Sequence, residues 1–408
     1  MNLQIIRNDN ILKSKAFWII MLSFFFKPAY FSQIYYLDVL FDVMKLVSFI
    51  IAVALVMYNG KYPAVFICAL AYFILVTSIT FVKLGDVKTV VLQSVSVTGA
   101  ILTLYLMSEY IRASTIKCVL IIFEILIYAN CLSVLIAPHG LYRFMTITGW
   151  WTDACWFLGI RNGMTLTYII AFYLEWINYL LDKKEKRRLI IFLVIASFTI
   201  YRINFLSSIT IGAGSAGGLV TCWLCVLIFI FIPKKIPFLN FFNACILNLL
   251  LFILLVFFRI QRLFSFFIEK VLHKTVTLSG RVYLWEKTNR VIGKSLVWGY
   301  GVEYGKDMAM KLKTSASVST TQNGFLDIFY NGGIVLFCVF LVTIFTCAYI
   351  LRNYAISSEY NTFIGYITFI IFLCCQSESM IGVRFFFYLQ LIIITSAYIK
   401  EVQVNEVG

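Results

Sequence analysis

Residues 324–351 read GFLDIFYNGGIVLFCVFLVTIFTCAYIL and contain one charged side chain, Asp327. A helix needs about 20 apolar residues to cross the hydrocarbon of a bilayer, whereas a strand in a soluble core rarely exceeds ~8. A run of this length therefore reads as a membrane span. On either side of it the pattern repeats, with apolar stretches and short charged breaks filling nearly all of the 408 residues. Hydrophobic residues make up 62% of the chain and charged residues only 13%, against roughly 25% charged in a soluble domain. Mean hydropathy is +0.92. These values exclude a soluble globular fold and point to one all-α polytopic membrane domain over residues 1–408.

Charged and turn-forming breaks delimit twelve candidate transmembrane helices, at about 16–26, 37–58, 63–82, 89–107, 118–137, 163–181, 189–206, 211–232, 238–258, 324–351, 362–376 and 384–399. Phe17–Phe26 is followed by Lys27 and Pro28 rather than by the small residues of a cleavage site, so it reads as a short first span. With the N-terminus in the cytoplasm, the inner loops hold 15 basic residues. The outer loops, the longest aside, hold five: Lys27, Lys83, Lys88, Arg143 and Arg161. By the positive-inside rule both termini are then cytoplasmic.

The longest loop, 259–323, falls on the extracytoplasmic side between spans nine and ten, and its 65 residues exceed the length over which loop charge sets orientation. It holds a net +7 of the chain's +15. Ser279–Val291 reads as a helix, with Ser279 or Thr277 as N-cap and Val282, Trp285 and Thr288 at helical spacing. Gly299-Tyr300-Gly301 reads as a turn. The loop is thus expected to form a small, partly helical cap. A second, smaller extracytoplasmic loop, 138–162, carries Trp150, Trp151 and Trp156.

Residue inventory removes several chemistries. Only two histidines occur, His139 and His273, which leaves zinc cages and HExxH sites unsupported. No phosphate-binding GxxxxGK[ST] loop exists, nor an Asp-x-Asp pair of the kind that holds a nucleotide sugar through a cation. Gly212, Gly214 and Gly217 spell GxGxxG but open an apolar span, where small residues serve helix packing. Ten of the eleven cysteines, Cys222 and Cys225 among them, lie in apolar runs and read as small hydrophobes. A basic face on the outer side argues against nucleic acid as a partner. No metal or cofactor is expected.

Charged residues inside spans are expensive and are functional candidates by default. Arg202 and Arg384 lie near the outer ends of their spans, at the depth of Arg259 and of the span start that carries Asp327. Outward arginines with few acids suit a diphosphate head group, since guanidinium takes phosphate oxygens in bidentate fashion. The plainer reading of each one is an arginine that snorkels to lipid phosphates. Glu124 and Glu175 lie deeper, where a structural pair is at least as good an account.

Ser279-Gly280-Arg281 is followed by Trp285, by Trp298-Gly299-Tyr300-Gly301, and by Gln322-Asn323-Gly324-Phe325-Leu326 leading through Gly332 and Gly333 into an apolar span. This order resembles the O-antigen ligase and polymerase superfamily, closely over about 60 residues and elsewhere through span layout. Two positions depart from the family pattern. Gln322 stands where the ligases carry His, and Gln cannot accept a proton at neutral pH. Ser215-Ala216-Gly217 lacks the family's Arg, for which Arg202 is the nearest substitute.

The resemblance implies a metal-independent membrane glycosyltransferase with a fold like that of other lipid-sugar transferases (GT-C-like), working on the outer face of the bacterial cytoplasmic membrane. It would act as a polymerase of undecaprenyl-diphosphate-linked oligosaccharide repeat units, making capsule or O-antigen. Donor and acceptor would both be lipid-linked, with membrane lipid around them and a flippase and a chain-length regulator as partners of the same pathway. Arg281, Arg202, Asp327 and Glu303 are the expected catalytic residues, the arginines meeting the diphosphate and the acids serving as base. Arg259, Arg384, Arg161, Gln322, Asn323, Trp285 and Tyr300 are expected to bind substrate. Two rivals remain open, a ligase-type glycan transferase and a flippase or transporter of lipid-linked oligosaccharide. The flippase leaves the long outer loop unexplained and predicts two related halves that the sequence does not display.

Overall fold

The computed structural model describes residues 11–145, 151–160, 162–211, 239–260, 280–314, 320–354 and 357–407, with 223–224, 227, 263 and 265–266 between them. Among the described residues are thirteen α-helices. They run α1 (Lys15–Ser23), α2 (Tyr35–Asn59), α3 (Ala64–Val82), α4 (Val87–Tyr110), α5 (Ser114–Ile136), α6 (Thr165–Leu181) and α7 (Lys186–Ile211). Then follow α8 (Phe241–Val256), α9 (Arg281–Ile292), α10 (Gly305–Leu312), α11 (Gly324–Asn353), α12 (Ser358–Cys375) and α13 (Val383–Val407). Seven of them, α2 to α5 and α11 to α13, are long and apolar enough to cross a membrane, and Lys15–Phe26 and Phe241–Val256 are shorter apolar helices. The chain is an all-α polytopic membrane protein. The span expected at 211–232 lies almost wholly outside the described residues.

Burial grades from the centre outwards. About two thirds of each apolar window in α4, α12 and α13 is buried (67%), against 17% in α2, which faces outward for most of its length. Lipid is as apolar as leucine, so helices in a bilayer are held by close packing and internal hydrogen bonds rather than by the hydrophobic effect. Aromatic rings supply the packing: Phe26 meets Phe387 at 4.8 Å and Phe123 at 5.1 Å, and Phe372 meets Phe385 at 5.2 Å. The hydroxyls of Tyr173 and Tyr360 lie 2.8 Å apart, and Tyr360 reaches the Thr395 hydroxyl at 2.7 Å. This buried triangle ties α6, α12 and α13 together.

Several charged residues within spans turn out to answer one another. Lys27 donates to Asp38 and Asp42 at 2.8 Å each, and Lys45 to Asp42 at 3.0 Å. Arg188, at the start of α7, donates Nε to Glu124 at 2.8 Å and a second nitrogen to the other oxygen of the same carboxylate. Its Nε also lies 3.8 Å from Glu175. Glu124 and Glu175 therefore flank a shared arginine that bridges α5, α6 and α7, with Glu124 taking its hydrogen bonds and Glu175 only the longer ionic contact.

Three expectations change in the loops and at α11. Loop 138–162 contains a small antiparallel sheet, β1 (Tyr142–Met145), β2 (Trp151–Trp156) and β3 (Gly159–Ile160), in the order β1-β2-β3. The loop helix begins at Arg281 with Gly280 as its N-cap at φ +87°, a left-handed backbone that favours glycine. A further helix, α10, follows the Gly299–Gly301 turn. The decisive apolar run is not one continuous helix, because Gly333 breaks α11 at φ +61°, ψ −156°. The freed amides of Ile334 and Val335 donate to the carbonyls of Leu296 and Val297 at 2.9 and 3.3 Å. The break at Gly333 thus docks α11 on the loop layer and divides it into a short segment, 324–332, and a longer one, 334–353.

Candidate functional site

The site is assembled from two non-helical connections, 320–323 before α11 and 376–382 between α12 and α13, together with the start of α9. Arg281 is the first residue of α9. Its Nε donates to Gln322 Oε1 at 3.3 Å, and a terminal nitrogen pairs with the Glu378 carboxylate. Asn162 Nδ2 donates to the same carboxylate at 2.6 Å. The arginine is therefore oriented by an amide and an acid from two distant parts of the chain.

One residue away along each connection, the chain turns to an acid. Thr321, the neighbour of Gln322, donates its amide and its hydroxyl to Asp327 Oδ1 at 2.9 and 2.7 Å. Ser379, the neighbour of Glu378, hydrogen-bonds the Asp327 carboxylate. Thr321-Gln322 and Glu378-Ser379 thus each send one residue to Arg281 and the next to Asp327. The cation and the acid are held by the same pair of dipeptides. Gln322 sits at φ +54°, a strained backbone for a residue with a Cβ, and is held there by contacts on both sides.

Asp327 opens on a cavity of about 390 Å³ between α3, α4 and the loop layer. Three acids line it, Asp86, Glu303 and Asp327, with the polar side chains of Gln93, Asn331 and Ser379. Among the described residues no arginine or lysine does. Glu303 accepts from the Tyr330 hydroxyl and pairs with Lys311, so its charge is already balanced. Asp86 caps α4 by accepting from the Thr89 amide at 3.1 Å. Asp327 has no cation partner among the described residues. The Gly301 turn seals one wall, with Gly301 N donating to Asn331 O at 2.9 Å and Val302 N to Thr80 Oγ1 at 2.9 Å.

The two acids and the leading arginine expected from the sequence are therefore brought to one place, and other expected residues are not. Asn323 is wholly buried; its side-chain oxygen accepts from the amides of Phe325 and Leu326 and its Nδ2 donates to Gln376 O at 2.8 Å. It caps α11 and has nothing left for a sugar. Trp285 is 2% exposed within the loop layer, so its ring offers no face to a substrate. Tyr300 packs on Tyr330 with ring centres 5.3 Å apart and donates to Val291 O at 2.9 Å. Burial and the charge of Glu303 beside it raise the Tyr300 phenol above its ordinary range. Arg259, at φ +53°, pairs with Glu286 of α9 at 2.9 Å. Arg161 and Ser279 lie outside the described residues.

Arg202 on α7 and Arg384 in the first turn of α13 differ from the other arginines. Each has a buried Nε with no hydrogen-bond partner, and neither forms an ion pair among the described residues. Glu378 is the functional candidate that the sequence alone did not single out. The signal that was there to read is an acid in a short outer connection, Gln376-Ser377-Glu378-Ser379, beside an excess of outer arginines. Among the described residues no cluster of three or more His, Cys, Asp or Glu is placed to hold a metal ion.

Residues 203–341, about a third of the chain, match the family described as O-antigen ligase. That segment begins beside Arg202 and takes in Arg259, Arg281, the Gly299–Gly301 turn, Gln322 and Asp327. The match supports glycan transfer of the O-antigen ligase and polymerase type at the level of the family, with lipid-linked oligosaccharide as substrate, by a multi-pass membrane protein. No curated protein and no solved structure gives a significant match.

Proposed function

We propose, from the premise that the O-antigen ligase match supports the O-antigen ligase and polymerase superfamily, that this chain is a polysaccharide polymerase. It would join undecaprenyl-diphosphate-linked repeat units on the outer face of the cytoplasmic membrane, with both of its termini inside. The observation that carries this reading is the placement of Arg281 and Asp327 on the same two dipeptides, beside an acid-lined cavity.

The donor's glycosidic bond to its diphosphate breaks as the acceptor hydroxyl attacks the sugar carbon. Negative charge then grows on the leaving diphosphate. Fixed cations aimed at such oxygens give the largest single gain in rate. Arg202 and Arg384, without acid partners among the described residues, supply the binding charge, and Arg281, turned by Glu378 and Gln322, meets the developing charge at the reacting end. The acceptor sugar occupies the cavity, whose acids repel a diphosphate and whose amides and hydroxyls suit sugar hydroxyls. Asp327 takes the proton from the attacking oxygen, the role that Gln322 cannot fill. No step calls for a metal ion.

Gene deletion followed by gel analysis of surface glycan tests the reading. A polymerase deletion removes long chains and leaves single repeats at the surface. Intracellular accumulation of lipid-linked repeats in the deletion strain would make the protein a flippase, and carrier-linked polymer that never reaches its final acceptor would make it a ligase.

A further inference from the structure

The end of the bundle opposite the loop layer has a second opening that glycan transfer does not use. A cavity of about 530 Å³ lies where α8 and α12 begin and α11 ends. Phe242, Phe345 and Tyr349 line it together with Asn240, Arg352 and Asn361. The aromatic side is open: Phe345 is 53% and Tyr349 69% exposed, and the Phe242 and Phe345 rings sit 5.9 Å apart. Arg352 follows Phe345 by seven residues, which puts it roughly 10 Å further along the helix axis. Among the described residues no acid lines the cavity and Arg352 forms no ion pair.

We propose that this cavity binds an anionic diacyl phospholipid. The span from Arg352 to Phe345 matches the distance from a headgroup phosphate down to the upper acyl chains. Arg352 takes the phosphate, and the aromatic rings pack the glycerol region and the first methylenes. Asn361 and the Asn240 amide nitrogen offer hydrogen bonds to the headgroup; the Asn240 side-chain oxygen is already committed to the Asn243 amide at 2.9 Å. A zwitterionic lipid fits less well, because its ammonium would stand beside Arg352 with no acid among the described lining residues. The site joins the starts of α8 and α12, the same two helices that meet again where Gln376 Nε2, just past the end of α12, donates to Asn248 O halfway along α8 at 2.9 Å. A bound lipid therefore stabilises the pair that supports Asn323 from below.

The test is thermal unfolding of the purified full-length protein in detergent, with phosphatidylglycerol or phosphatidylcholine added at equal mole fraction. The midpoint is expected to rise by about 2 °C or more with phosphatidylglycerol beyond any rise with phosphatidylcholine. The difference should vanish in Arg352→Gln. Equal rises with both lipids, or an undiminished preference in Arg352→Gln, overturn the proposal. Glycerol 3-phosphate serves as the soluble control, and stabilisation by it equal to that by phosphatidylglycerol would assign a free-phosphate site instead. Should Arg352→Gln fail to fold, native mass spectrometry of the wild type and of Phe345→Ala decides the matter. Preferential retention of phosphatidylglycerol by the wild type, weakened in Phe345→Ala, supports the site, and equal retention of both lipids by the wild type sinks it.

Discussion

Arg281 and Asp327 are the two side chains on which the proposed chemistry turns, and their environments predict different failures. Removing the guanidinium in Arg281→Ala takes away one preorganised donor, a change that commonly costs ~10² to 10³ in rate. Polymer should disappear from gels while protein level and single-repeat surface glycan persist; long polymer in normal amount would end the assignment. Asp327→Asn keeps an oxygen that can accept from Thr321 but removes the proton acceptor, so a loss of ~10² to 10⁴ in rate is expected with the protein still folded. An Asp327→Asn variant as active as the wild type would leave Asp327 a purely structural acid. Both residues were legible in the sequence, Arg281 from its motif and Asp327 as a charge at the start of an apolar run. Glu378 was not, because it meets Arg281 across 97 positions of chain and no local pattern encodes a contact of that range. Asn323 and Trp285 are expected from the sequence to bind substrate, yet they are buried, since a loop that folds into its own layer uses its polar and aromatic residues internally.

At the scale of the element, α11 depends on how it starts and where it breaks. Asn323 satisfies two of the amides that open the helix, and loss of such a cap costs about 1–2 kcal/mol. Asn323→Ala also strands the Gln376 carbonyl, so a lower thermal midpoint is expected together with reduced polymer. An unchanged rate per folded molecule in Asn323→Ala would show that the residue acts through the helix and not on the sugar. Gly333 is a harsher position. A Cβ there would stand 2.3 Å from the Val297 carbonyl oxygen on a backbone with φ +61°, so Gly333→Ala has to shift main chain. About 1–3 kcal/mol of stability should be lost and the loop layer displaced from α11, read as increased protease cleavage within the outer loop. Unchanged cleavage would mean that the break at Gly333 tolerates a side chain. Hydropathy reported the apolar run but not this break, because a dihedral leaves no trace in composition. The Gly332-Gly333 pair was the one visible hint.

For the molecule as a whole, the distribution of charge is what connects sequence to orientation. Fifteen basic residues in alternate loops are the signal by which the positive-inside rule predicts a cytoplasmic side. The net +7 of the long loop already counts Glu286 and Glu303, so Glu378, which pairs with Arg281 from a different connection, is the acid that offsets a further part of it. Among the described residues Arg202 and Arg384 remain without ion-pair partners, as the proposed meeting with a lipid diphosphate requires. This arrangement makes a prediction that is independent of any activity. Tyr283 on α9 is 61% exposed in the loop layer, and Lys184 lies in the turn between α6 and α7 at the opposite end. In cells whose outer barrier has been opened, a membrane-impermeant maleimide should label Tyr283→Cys directly. Lys184→Cys should label only after the cytoplasmic membrane is permeabilised. The native cysteines are measured as background in the unsubstituted protein; Cys338, which is exposed, lies within the apolar part of α11, where a charged reagent does not enter. The reverse labelling pattern would place the arginines and the acid-lined cavity in the cytoplasm. There the lipid-linked repeat would still be under construction, and polymerisation on the outer face would have no catalyst in this chain.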